Sequence, residues 1–113
     1  MVTWDTSWSF TINYVTKYPK AAIAYIKVRE YTSGKEYSVV NGGSVTVNEE
    51  RVRIRVGLKN VGEASGTLYA QVFIDGMKGT QKSTSVSVGS TGEVYWDVEL
   101  TPGAHTIKVQ VGH

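Results

Sequence analysis

The chain has 113 residues, 41% of them hydrophobic and 19% charged, with a formal net charge of +2 and no cysteine. One domain of this length buries a sufficient core without help, and the lack of cysteine excludes disulfide frameworks and thiolate zinc sites. So small a net charge gives no long-range field to attract nucleic acid, and no apolar run reaches the eighteen or so residues of a bilayer-spanning helix, so neither partner is expected.

Along the chain, residues 1–19 come first. Trp4, Trp8, Phe10, Ile12 and Tyr14 share one parity before Tyr18-Pro19 interrupts it. This reads as an extra N-terminal strand or an ordered linker, whose tryptophans are expected to pack on the domain or on a neighbouring module. The segment has neither a basic n-region nor an apolar h-region, which fits a cytoplasmic protein or a module of a longer exported chain.

Residues 20–113 form the domain proper, and strict two-residue alternation dominates it. Weak alternation over residues 23–28, and at Val45 with Val47, predicts short or edge strands. In residues 51–59, Val52, Ile54, Val56 and Leu58 share one face, with Arg51, Arg53, Arg55 and Lys59 on the other. Residues 67–75 set Leu68, Ala70, Val72 and Ile74 against Tyr69, Gln71 and Phe73, and apolar character on both faces predicts a central strand. A serine-rich stretch over 83–88 predicts another edge strand. Residues 93–100 alternate Val94, Trp96, Val98 and Leu100 with Glu93, Tyr95, Asp97 and Glu99, and 106–111 alternate Ile107, Val109 and Val111 with Thr106, Lys108 and Gln110.

Turns are predicted at Asn60-Val61-Gly62, Ser65-Gly66, Asp75-Gly76, Met77-Lys78-Gly79, Gly89-Ser90-Thr91-Gly92 and Thr101-Pro102-Gly103, where Gly, Asn and Asp supply positive φ. No helical period survives this punctuation, so the fold is all-β, a sandwich or a barrel.

From about Ile23 to Val111 the order of elements resembles CARDB, the cell-adhesion-related domain of bacteria and archaea. The likeness is carried by Asn60, Gly62, Gly66, Asp75, Gly76, Gly103 and His105, most of them turn residues. It implies an immunoglobulin-like antiparallel β-sandwich of about seven strands, found in extracellular or cell-surface proteins, with adhesion as the proposed role. The family continues beyond its Gly-His strand to one more strand, whereas this chain stops at Gly112-His113. Either that strand is absent, which leaves an edge open to another chain, or the segment around Trp4 to Val15 replaces it. On the implied topology, residues 51–59 lie antiparallel to 93–100, so the arginines meet Glu93, Asp97 and Glu99 across the strands.

Candidate chemistry is sparse. Arg51, Arg53 and Arg55 repeat every two residues, near the spacing of phosphates, but cross-strand carboxylates would neutralise them. Asp97 and Glu99 sit at i and i+2 on an open strand, without the walled cleft that separates the pKa values of a catalytic pair. His105 and His113 are too few for a multi-histidine metal site, and Gly42-Gly43-Ser44 lacks a phosphate-loop lysine. Glu49-Glu50 reads as a solvated turn. No catalytic, cofactor-binding or metal-binding residue is therefore assigned, and the chain is read as a non-enzyme. It is expected to be an adhesion, interaction or spacer module whose partners are neighbouring domains or a surface protein or glycan. The alternative is a carbohydrate-binding module appended to a polysaccharide-active enzyme, with Tyr69 and Tyr95 offering rings and Arg51, Arg53 and Arg55 a polar surface.

Overall fold

In the arginine-rich stretch, alternation becomes burial: Val52, Ile54, Val56 and Leu58 are at most 2% exposed, and the arginines point outward. A computed structural model describes residues 1–113 as seven strands and no helix. They are β1 (Ala21–Glu30), β2 (Glu36–Val39), β3 (Arg51–Asn60), β4 (Gly66–Ile74), β5 (Met77–Val86), β6 (Thr91–Glu99) and β7 (Ile107–Gly112). They form two antiparallel sheets, ordered β2-β1-β3-β6 and β5-β4-β7. The fold is the expected all-β sandwich.

β5 lies over β6, β4 over β3 and β7 over β1. Ile54, Val56, Leu58, Val94 and Trp96 from the larger sheet meet Leu68, Ala70, Val72 and Val86 from the smaller. The Trp96 indole N–H donates to the Thr80 carbonyl at 2.7 Å, so the largest core side chain has its one polar atom satisfied. β2 has no strand of the smaller sheet at comparable approach.

Three local expectations are corrected. The strand beside β1 is Glu36–Val39, whereas Val45 and Val47 lie in irregular chain. The turn at residues 31–35 returns the chain directly along β1, where Lys27 opposes Ser38. Met77-Lys78-Gly79 is not a turn, because Asp75 (φ 51°) and Gly76 (φ 79°) reverse the chain in two residues and β5 starts at once. Of the two readings of residues 1–19, strand or linker, the strand is not formed: residues 1–18 are exposed and lie outside both sheets, and the tryptophans do not pack on the domain, with Trp4 at 87% and Trp8 at 93% exposure. The segment's root is tightly seated. Gly62 and Gly66 admit the backbone of Tyr18 to Lys20 and the Pro19 ring so closely that a Cβ on either would collide. The chain therefore leaves from the end of the sandwich, and the molecule is 88 Å long but only 25 by 23 Å across.

The same end is organised by Asn60, whose side chain is completely buried. Its amide donates to the carbonyls of Ala64 at 2.9 Å and Val86 at 3.0 Å, and its oxygen accepts from Gly62 N–H at 2.9 Å and Lys20 N–H at 3.4 Å. One carboxamide thus joins the β3–β4 crossing, the end of β5 and the start of β1. Truncation would leave buried backbone groups unpaired. Asn60→Ala is expected to lower stability by about 2–4 kcal/mol in chemical denaturation, whereas Asn13→Ala, in the exposed segment, should leave the midpoint unchanged.

Candidate interaction surface

The outer face of the four-stranded sheet carries the arginines. The register sets Arg51 opposite Glu99, Arg53 opposite Asp97 and Arg55 opposite Tyr95. Arg53 grips Asp97 with two hydrogen bonds, at 2.8 and 3.3 Å, and holds the Asp97 pKa below its ordinary value. Arg55 bridges Glu93 at 2.8 Å and Glu36 at 2.7 Å. Glu93 also accepts from the Tyr25 hydroxyl at 2.6 Å, which raises the tyrosine pKa. Arg51 makes no ion pair and stacks on Tyr31, while Arg53 covers Tyr95, each 4.2 Å from the ring centroid. Around Arg53 and Arg55 the stripe is thus a half-exposed mesh of guanidinium, carboxylate and phenol groups that satisfy one another, while Arg51 keeps only its ring contact. In high dielectric such pairs add little stability, but they leave few free charges for an acidic polymer.

Tyr69 and Tyr95 are not brought together. Tyr95 lies on the arginine face, and Tyr69 lies on the outer face of the other sheet. There, Gln81 and Gln110 are in register with Gln71 on either side. The Gln71 amide donates to the carbonyls of Gly79 at 2.5 Å and Val72 at 3.1 Å, while its buried oxygen has no protein partner.

The residues that carry the family likeness divide between the two ends. Asn60, Gly62 and Gly66 shape the end where the chain enters, as described above. Asp75, Gly76, Gly103 and His105 lie at the other. Here the Asp75 carboxylate accepts from the His105 ring at 2.7 Å and from Thr106 N–H at 2.9 Å, and the second ring nitrogen points at the Thr101 carbonyl at 2.6 Å. With acceptors on both sides, the imidazole is best satisfied when doubly protonated. Its pKa is raised, first by the Asp75 hydrogen bond and then by the Thr101 carbonyl, and that of Asp75 is lowered.

Glu49, read from the sequence as solvated, instead accepts from Ser33 N–H at 3.0 Å and Thr32 N–H at 2.8 Å. These bonds hold its pKa at about 2. No motif could have signalled this role, because the two partners lie 16 and 17 residues upstream. No three potential metal-ligating side chains converge anywhere in the structure, and no helix is long and apolar enough to cross a membrane.

No known protein-family pattern matches the chain, and no curated protein is significantly similar to it.

The Asp75–His105 pair predicts a pH dependence. A raised histidine pKa contributes stability that is fully present below the ordinary value of 6.5 and lost as pH rises through the folded value. The lowered Asp75 contributes above its ordinary 3.8 and is lost as pH falls through its folded value. The melting temperature should therefore decline as pH rises past 6.5, and His105→Gln should flatten that decline in thermal scans.

Proposed function

We propose that the chain is a non-catalytic interaction module of a larger microbial surface or secreted protein, and that residues 4–18 make its protein contacts. One observation carries this reading: the segment before β1 carries a row of exposed apolar side chains, Trp4, Trp8, Phe10, Ile12 and Tyr14, of the kind that marks a contact site.

The resemblance to CARDB supports the same reading, since Asn60, Gly62 and Gly66 build the end from which the segment projects. The surface location rests on that resemblance alone. The non-enzymatic reading draws on Asp97, the one carboxylate of the candidate pair with a close partner, which is held ionised by Arg53 on an open face.

A second reading, glycan binding, is favoured by the glutamine row on the smaller sheet. Gln71, Gln81, Gln110 and Tyr69 line a shallow depression of about 190 Å³, and the exposed Gln81 and Gln110 amides could exchange hydrogen bonds with sugar hydroxyls. An NMR titration of the labelled chain with soluble polysaccharides separates the two. Protein contact predicts unchanged Gln71 side-chain and Tyr69 signals. Shifts clustered on Gln71, Gln81 and Gln110 would replace it with glycan binding.

A further inference from the structure

The sandwich is built unequally, with four strands facing three. β7 pairs with β4 on one side, and no other segment pairs along its second side. Its backbone groups there form an open edge. Beside that edge the inner faces are only partly covered. Ile26, Val28, Tyr37, Val39, Val109 and Val111 are half-buried, although Ile26 and Val28 stand in register with the fully packed Val56 and Ile54. A fourth strand next to β7 would lie across β2, which has no strand opposite it.

The same chain carries an unpaired strand pattern of matching size and polarity. Residues 8–14 alternate Trp, Phe, Ile and Tyr with Ser, Thr and Asn and contain no charge. Seven residues extend over roughly 23 Å, and the six of β7 over roughly 20 Å. If Trp8, Phe10, Ile12 and Tyr14 turn inward, they cover the half-buried positions of β1 and β2. Ser9, Thr11 and Asn13 then fall on the outer face beside Lys108 and Gln110.

Its own β7 is the poorer acceptor. Tyr18 stacks on His113, so residues 8–14 folded back along the same molecule would run parallel to β7. Every pair in the two sheets is antiparallel, and that pairing is the more stable per residue. The tail of another molecule is free to arrive in the antiparallel sense.

We infer that residues 8–14 of a second copy of this chain add to the free edge of β7 as the fourth strand of the smaller sheet, seating Trp8, Phe10, Ile12 and Tyr14 over β1 and β2. This strand addition rests on the protein-contact reading and names its partner.

The test compares the full chain with a Thr11→Pro/Ile12→Pro double variant, which loses one N–H from each edge of the added strand but keeps both tryptophans, Phe10 and Tyr14. The substitutions lie in an unpaired, exposed stretch, so the sandwich should stay folded, and Val2→Pro serves as a control. Sedimentation should show the wild type and the control at least doubling in mass with concentration and the double variant remaining a monomer. A peptide of residues 6–15 added to the double variant should slow hydrogen exchange of β7 amides. A wild type that stays monomeric at all concentrations overturns the inference, as does a peptide that leaves β7 exchange unchanged. Equal association of the double variant also overturns it, while leaving apolar protein contact standing; polysaccharide-induced shifts at Gln71 would instead remove that contact reading itself.

Discussion

The buried carboxamide of Asn60 is the constraint on which the rest of the sandwich depends. At this point the chain leaves β3 in one sheet for β4 in the other, and the crossing exposes backbone groups that neither sheet can pair. Asn60 supplies two donors and one acceptor oxygen to Ala64, Val86, Gly62 and Lys20. Its backbone exchanges hydrogen bonds with Ser90 and Gly89. Four chain segments therefore converge on one residue. A hydrophobic side chain could fill the volume, but the carbonyls around it would then lack the partner that the buried Asn60 supplies.

Much of this was legible in the sequence wherever one face of a strand is buried and the other wet. The arginine strand, the strand containing Trp96 and the last strand announce themselves by parity, while the antiparallel pairing that brings the arginines to the carboxylates comes from the topology the resemblance implies. Legibility failed where pairing, and not burial, defines the strand. β2 has four residues and β5 is exposed over most of its length, so neither shows clear alternation. The Glu49 contacts are invisible because they depend on loop proximity. Residues 8–14 show the opposite failure: their alternation is clear, yet they pair with no strand of the molecule. Periodicity reports what a segment could bury, and the location of a complementary edge is a separate fact.

The candidate surfaces differ in how far their chemistry is already used. On the larger sheet, guanidinium and carboxylate groups neutralise one another, and the aromatic rings beneath them are covered by cations. On the smaller sheet the glutamine row keeps one acceptor free, and at the β7 side the apolar inner face is incompletely closed. Unmet bonding capacity therefore lies mainly on the three-stranded side of the molecule, while on the four-stranded face Arg51 alone among the three arginines lacks a carboxylate.

The stacking of Tyr18 on His113 bears on how the domain would respond to tension. β1 begins and β7 finishes at the same end, so a pull applied at these two points opens the sandwich from that end. Hydrogen bonds along β1–β3 and β4–β7 would be loaded one after another, as in a zipper, and not together, as in strands drawn past each other lengthwise. Such a geometry yields at low force and by degrees. The sandwich would thus give way under such a pull before a sheared sandwich of equal thermodynamic stability.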